Sequence, residues 1–96
     1  MGTLSETLVP KYDSAKSFYG KAVVNRYQDH ITLVSYRTEV ATVKYTDKGI
    51  SVQVLIDALT KTTTRHVKEF LKQLGVKADS KSQIIDDYGV YDIDWR

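Results

Sequence analysis

The sequence predicts an α+β fold. An antiparallel β-meander of about four strands packs on one main α-helix, and a short helix/strand extension follows at the C-terminal end. Residues 21–56 alternate apolar and polar side chains, the pattern of strands with one buried face. Residues 63–74 instead repeat apolar side chains at the spacing of one helix face. Because 96 residues is the length of one domain, we expect a single domain over residues 1–96.

The first residues of the chain show few signals of regular structure. Pro10 lacks a backbone N–H donor, and the Tyr-Asp-Ser run at 12–14 consists of residue types that favour turns. We therefore expect a loosely ordered arm over residues 1–16, which precedes a sheet and a main helix over residues 17–75.

The residues after the arm are typical of four strands. Their segments are rich in β-branched and aromatic residues: SFYGKAVVNRY, HITLVSYR, VATVKYT and ISVQVLI. Gly20 predicts a bend or bulge in the first segment. Thr38-Glu39 is expected to connect the second and third strands as a tight hairpin or a bulge. TDKG predicts the turn before the fourth strand, because Gly49 can adopt a positive φ.

The main helix is predicted within KTTTRHVKEFLKQLG, residues 61–75, with its start near Thr62 or Thr63 and its end near Leu74. Thr62 or Thr63 is a suitable N-cap, because a threonine hydroxyl can accept a hydrogen bond from an N–H two or three residues later. Gly75 follows the last turn, where a left-handed residue commonly ends a helix. One apolar stripe follows the i, i+3, i+4, i+7 spacing and should pack on the sheet: Val67, Phe70, Leu71 and Leu74.

The remaining side chains of this helix predict a surface. His66 falls at the edge of the apolar stripe, where we expect a helix-surface residue that braces the helix start. Arg65 and Glu69 can form an ion pair one turn apart. Arg65, Lys68 and Lys72 form a basic face opposite the stripe.

Residues 76–96 predict an acidic and aromatic extension. Asp79 or Ser80 is a suitable N-cap for a short helix, and Gly89 would end it. The final VYDIDWR alternates like a terminal edge strand, with Asp92 and Asp94 on one face.

The charge is distributed unevenly between the extension and the rest of the chain. Residues 1–78 carry 12 Lys or Arg and 7 Asp or Glu, whereas residues 79–96 carry 2 Lys or Arg and 5 Asp. Opposite charge in two parts of one chain predicts either two binding surfaces or the packing of one part on the other.

The residue types of known catalytic and metal sites are largely missing. The absence of cysteine excludes disulfides, thiolate zinc sites and cysteine nucleophiles. His30 and His66 have no partner at metal-ligand spacing, and no nucleophile elbow or phosphate-binding glycine loop occurs. We therefore expect a non-enzymatic protein with no catalytic residue, metal ion or cofactor. No apolar run approaches the roughly 18 residues of a membrane span, and no signal-peptide pattern is present, so we expect a cytoplasmic protein with no membrane partner.

Three blocks of the sequence resemble a group of small uncharacterised bacteriophage proteins: KSFYGKAVV, ITLVSYRTEVATV and TTTRHVKEFLKQLG. The pattern shared by that group is S-F-Y-G/N-K-A, then L-x-S-Y-x-T-x-V-A, then T-T-x-R-H-x-x-E-F-L-x-Q. The resemblance spans residues 14–75 and leaves the acidic extension outside. IDALTK departs from the pattern, because the group usually has an aromatic residue followed by Ser or Thr before the helix. The resemblance implies a binding protein in the bacterial host cell, often one that blocks host enzymes or host defence, and assigns no catalytic residues.

Two function hypotheses follow. The first is a phage-encoded inhibitor of a host defence or nucleic-acid-handling complex, for example an anti-CRISPR protein. Its partner would be a host protein or ribonucleoprotein complex, and the aromatic and acidic side chains of the extension would make the contact. These predicted contact residues are Asp86, Asp87, Tyr88, Tyr91, Asp92, Asp94 and Trp95.

The second hypothesis is a small nucleic-acid-binding accessory protein. Its basic helix face, formed by Arg65, Lys68 and Lys72, would attract phosphates in a salt-dependent way. The chain lacks the strong basic excess and the motifs of a dedicated nucleic-acid binder.

Overall fold

A computed structural model of the chain describes residues 4–93. Within them, two α-helices accompany a mixed six-stranded sheet whose strands lie in the order in which they follow one another along the chain. The α+β class is therefore as predicted. In chain order the elements are β1 (Leu4–Thr7), β2 (Ala22–Arg26), β3 (His30–Ser35), β4 (Thr38–Thr46), β5 (Gly49–Leu55), a short 3₁₀ turn (Ile56–Ala58), α1 (Lys61–Gln73), α2 (Lys81–Tyr88) and β6 (Gly89–Val90).

Strands β2 to β5 form the predicted antiparallel meander, and two edge strands extend it. β1 pairs antiparallel with β2, and β6 pairs parallel with β5. Alternation indicated a terminal edge strand, which overlaps β6 at Val90, but did not indicate β1. All four residues of β1 are exposed, and β6 has only two residues. The expected terminal strand over VYDIDWR is thus wrong in its length, because β6 ends at Val90 and Asp92 lies in a bend.

The hairpin between β3 and β4 turns two residues earlier than expected. Thr38 is already paired with Ser35, so the turn consists of Tyr36 and Arg37, whose φ angles are 59° and 113°. Positive φ at both central residues matches the right-handed twist of the flanking strands. Glycine or asparagine is the usual occupant of such positions, which is why a Tyr-Arg turn was missed.

β4 contains a bulge directly after this hairpin. Val34 pairs with Glu39 and Leu33 pairs with Ala41, which leaves Val40 as an extra residue in β4. Both Val40 and Ala41 are buried. The bulge therefore adds one more side chain to the core than regular alternation would place there.

Helix α1 begins slightly earlier than predicted and ends as predicted. Thr60 is the N-cap, and its side chain accepts a hydrogen bond from the N–H of Thr63. At the other end Gly75 has a φ of 77°, its N–H bonds to the carbonyl of Lys72, and the next N–H, of Val76, bonds to Leu71. These two bonds are those of a Schellman C-cap, which satisfies carbonyls that the helix leaves open.

The apolar stripe of α1 supplies the centre of the core. Val67, Phe70 and Leu71 are buried against the sheet, whereas Leu74 is half-buried. Burial of this stripe is as predicted, and it stabilises the helix more than local propensity can.

Helix α2 has the predicted boundaries. The Ser80 side chain accepts from the N–H of Gln83, and Gly89 follows the last residue. Ile84 is completely buried, so α2 packs on the same core as α1. A Cβ at Gly89 would lie 2.5 Å from the Ile85 carbonyl oxygen and 2.8 Å from the Ile56 side chain. Only glycine therefore lets the chain pass directly from α2 into the sheet.

Candidate functional site

The three sequence blocks that carry the resemblance meet at His66. The ring of Phe18, from the first block, lies 4.6 Å from the imidazole centroid. Ser35 and Tyr36, from the second block, lie next to it, with the Tyr36 ring at 5.9 Å. Thr63 comes from the same helix as His66 and completes the group. We call these five residues the His66 cluster.

Hydrogen bonds join the polar members of the His66 cluster. Ser35 Oγ lies 2.9 Å from His66 Nδ1 and 3.1 Å from Thr63 Oγ1. A serine hydroxyl has one donor and two acceptor sites, so it can satisfy both neighbours at once. Ser35 and Thr63 are themselves buried, which makes these bonds expensive to break.

His66 is an interior residue, and the expectation of a helix-surface histidine is wrong. Only 1% of its surface is exposed. The helix places it at the edge of the stripe, as the periodicity indicated, but Phe18 and the Tyr36 turn cover that edge. Burial, followed by the nearby charge of Arg65, lowers the pKa of His66 below its ordinary value. The imidazole is therefore neutral at pH 7.

Ser35 and His66 are the residue types of a catalytic nucleophile and its base, but their geometry is not that of a catalytic pair. Ser35 is 2% exposed, and its hydroxyl lies between two buried polar groups. A nucleophile must reach a substrate atom at bonding distance. This geometry supports a structural hydrogen bond.

Three polar side chains of α1 hold the segment that follows β1. Arg65, Glu69 and Gln73 are spaced four residues apart, so they lie on one helix face. We call them the α1 clamp. Their partners lie in residues 9–13, which together with β1 are attached to the fold more closely than the loosely ordered arm that we expected.

Glu69 is the centre of the clamp. One carboxylate oxygen accepts hydrogen bonds from the backbone N–H groups of Tyr12, at 2.8 Å, and Asp13, at 2.9 Å. The other oxygen accepts from Gln73 Nε2, which also donates to the carbonyl of Val9 at 2.7 Å. Burial acts to raise the pKa of Glu69, but the hydrogen bonds from Gln73 and the backbone amides outweigh it and lower the pKa.

Arg65 does not use the partner that its spacing suggested. Its guanidinium donates to both carboxylate oxygens of Asp13, with Nε 3.0 Å from Oδ2. The expected Arg65–Glu69 pair is thus wrong, because Glu69 is engaged by backbone amides. The bond from Arg65, and next the backbone N–H of Ala15, lower the pKa of Asp13 from 3.8 to about 2.

The predicted basic helix face contains acidic groups as well. Lys68 and Lys72 are half-buried and line a shallow depression together with Asp13 and Glu69. Two ionised carboxylates among three cations reduce the attraction of this face for phosphates.

Of the predicted contact residues of the extension, those that the structure describes lie on α2 and in the residues after β6. Asp86 and Asp87 are exposed on α2, and Asp87 accepts a hydrogen bond from Gln83. Tyr88 is half-buried, packs against the core and donates its hydroxyl to the carbonyl of Lys77. Tyr91 and Asp92 are exposed after β6. Asp94 and Trp95 lie outside the described residues.

The His66 cluster supports a surface that the sequence analysis missed. Tyr19 and Tyr36 are 84% and 51% exposed, and both have left-handed backbones, with φ of 55° and 59°. Lys21 joins them. Its carbonyl accepts the N–H of Tyr36, and its Nζ lies 5.6 Å from the centre of the Tyr36 ring. With the exposed Arg37, these residues form what we call the aromatic tip.

A signal for the aromatic tip was present in the motif blocks. F-Y-G and S-Y-x-T each place a tyrosine directly after a residue that the structure buries, Phe18 or Ser35. Both tyrosines were assigned to strands, where aromatic residues are common. The positive φ angles interrupt the strands there and turn both rings outward.

The fold and the site define a small α+β protein in which Phe18, Ser35 and His66 are buried, while the neighbouring Tyr19 and Tyr36 are exposed. The chain belongs to a family of unknown function, DUF8033, whose model matches residues 7–87. This range includes α2 with Asp86 and Asp87, which the resemblance to phage proteins had left outside. No curated protein and no solved structure matches the chain.

Residues 4–93 contain neither a metal-ligand cluster nor a membrane-spanning helix. No group of three or more His, Cys, Asp or Glu side chains there is placed to hold a metal ion. Neither helix in this range is long and apolar enough to cross a membrane.

Proposed function

We propose that this protein is a small non-enzymatic binding protein that contacts its partner through the aromatic tip. The observation that carries this proposal is the conformation of Tyr19 and Tyr36, which are held outward by left-handed backbones above the buried His66 cluster. A left-handed conformation costs a non-glycine residue roughly 1–3 kcal/mol, so it persists only where the surroundings enforce it. Strain that holds two large rings in solvent is a feature of binding surfaces.

The composition of the tip also supports binding. Tyr and Arg are enriched among the residues that dominate protein interfaces. A tyrosine ring also offers a large contact area with few rotatable bonds. Lys21 and Arg37 make the tip basic. The partner therefore presents acidic or phosphate groups. This agrees with the function that the resemblance suggests, a phage-encoded inhibitor of a host defence or nucleic-acid-handling complex such as a CRISPR effector.

The polar motif residues support a binding role in a second way. Arg65, His66 and Glu69 each have a partner inside the protein. Their role is to hold the arm and the two loops on which the tip stands. Nucleic-acid binding through the basic helix face is the weaker alternative, because Asp13 and Glu69 lie within that face.

The proposal is tested by capture from a host lysate followed by binding measurements with the purified target. Wild-type tagged protein is compared with the double variant Tyr19→Asn, Tyr36→Asn. Asparagine tolerates positive φ, so both loops keep their shape while the rings are removed. Tyr45→Thr serves as a control, since Tyr45 is about half exposed at the opposite end of the sheet. The proposal is rejected if the double variant, with an unchanged melting temperature, binds the target as the wild type does.

A second experiment distinguishes protein binding from nucleic-acid binding. Binding of the wild type to plain single-stranded DNA and RNA is measured at two salt concentrations. Affinity that falls steeply with salt, and that Lys68→Glu abolishes, supports the nucleic-acid alternative.

A further inference from the structure

A cavity of about 440 Å³ lies at the β1–β2 edge of the sheet. Residues of both strands line it, together with the C-terminal half of α1 and part of the arm. α1 makes most of its sheet contacts with β3, and α2 makes most of its sheet contacts with β5 and β6.

This cavity is built from the core and from the arm. Leu8, Val24 and Phe70 form its floor, and all three are buried core residues. Residues 9–12 form its outer wall, and the α1 clamp holds that wall in place through Gln73 and Glu69. The cavity is thus part of the packed fold, and its size is typical of small-molecule sites.

The charged residues that line the cavity determine which charge of ligand it favours. Among the residues that line the cavity, the charged ones are Glu6, Lys11 and Arg26. Glu6 and Arg26 pair at 2.8 Å, which leaves the ammonium of Lys11 as the net charge. Tyr12 lies beside it with its side chain largely exposed, so an aromatic wall and a cation meet at one opening.

We propose that this cavity binds a small aromatic anion. Its ring lies against the exposed side chains of Val9 and Tyr12, above the buried floor, and its anionic group contacts Lys11. Apolar area supplies affinity, and the single cation fixes the orientation. Ligand binding here is separate from the proposed function, because the cavity adjoins the C-terminal half of α1, about 15 Å along the helix from the aromatic tip.

The test uses the full chain and two fluorescent probes that differ only by one sulfonate group. 8-Anilinonaphthalene-1-sulfonate carries a sulfonate, and N-phenyl-1-naphthylamine is its neutral counterpart. We expect the sulfonate probe to bind saturably at one site, at least about fivefold more tightly than the neutral probe. Amide chemical-shift changes should be confined to residues 6–12, 24–26 and 70–74.

Matched variants test whether the ammonium of Lys11 is the group that contacts the sulfonate. Lys11→Glu should weaken the sulfonate probe roughly fivefold or more and change the neutral probe less than about twofold. Lys48→Glu makes the same charge change in the exposed turn between β4 and β5 and should change neither. Val9→Trp should fill the cavity and weaken both probes. The proposal is overturned by the absence of saturable binding, by equal effects of Lys11→Glu and Lys48→Glu, or by chemical-shift changes elsewhere.

Discussion

Arg65 on α1 pairs with Asp13, 52 residues earlier in the chain, although Glu69 lies only one helical turn away. Glu69 is committed to the N–H groups of Tyr12 and Asp13. The spacing R-x-x-x-E-x-x-x-Q on α1 therefore serves a contact with a distant segment. A helix-internal ion pair would have been worth only a few tenths of a kcal/mol. Hydrogen bonds to a buried carboxylate contribute more, because that carboxylate has no water to replace them.

Removal of the Glu69 carboxylate should release the arm. We expect Glu69→Leu to lower the free energy of unfolding by about 2–3 kcal/mol, and Glu69→Gln by less, because glutamine keeps an acceptor. The measurement is amide hydrogen exchange, in which Tyr12 and Asp13 lose protection in Glu69→Leu. Glu39→Gln, at an exposed position, is the control. Unchanged protection of the Tyr12 and Asp13 amides in Glu69→Leu would contradict the clamp.

The Asp13–Arg65 pair makes the stability of the fold depend on pH in the acidic range. The pKa of Asp13 is about 2 in the folded chain and ordinarily 3.8. The contribution of Asp13 is fully present above about pH 4 and is lost as the pH falls towards 2, because the unfolded chain takes up the proton first. Asp13→Asn should therefore flatten the acid side of a plot of melting temperature against pH. A wild-type slope retained in Asp13→Asn would mean that other carboxyl groups, such as Glu69, account for it.

His66 predicts a separate pH dependence at higher pH. Its pKa is lowered by burial from 6.5, so below about pH 6.5 the unfolded chain binds a proton that the folded chain does not. Stability should fall as the pH drops below about 6.5, and His66→Gln should remove this loss. The substitution should also lower the free energy of unfolding by about 1–3 kcal/mol, because it breaks the buried bond to Ser35. Target binding lost in His66→Gln at an unchanged melting temperature would overturn the structural role.

A substitution at Phe70 tests whether the apolar stripe of α1 is the centre of the core. It is 1% exposed, so Phe70→Ala should lower the free energy of unfolding by about 3–5 kcal/mol in denaturant titrations. Ile50→Ala is the matched control, because Ile50 is 53% exposed and its truncation should cost less than about 0.5 kcal/mol. Equal effects of the two substitutions would mean that the stripe of α1 is not the centre of the core.

Local features of the fold could be predicted from the sequence, and distant contacts could not. The stripe of α1, the cap at Ser80 and the turn at Gly49 each depend on a few neighbouring residues. β1 was missed because its four exposed residues carry no apolar alternation. The clamp was missed because its partners are separated by more than 50 residues. The burial of His66 was missed because its cover comes from Phe18 and from a turn at Tyr36 that has no glycine.

The aromatic tip and the acidic extension predict different binding kinetics with a purified target. A buried aromatic anchor mainly sets the dissociation rate, whereas charges at the rim mainly change the association rate and its salt dependence. We expect Tyr19→Asn with Tyr36→Asn to speed dissociation at least about tenfold at both low and high salt.

In the extension, Asp92→Lys should alter only the association rate, and only at low salt. Tyr91→Ser should have little effect, although Tyr91 is 71% exposed, because β6 ends one residue before it and nothing in the described residues holds its ring in place. Tyr36, in contrast, stands on a loop whose N–H bonds to the Lys21 carbonyl, and its ring lies 5.9 Å from that of the buried His66. A partner gains most from a ring that is already held in its bound position, since little conformational entropy is then lost on binding. If Tyr91→Ser speeds dissociation and the tip variant does not, while both keep the wild-type melting temperature, the contact surface lies in the acidic extension.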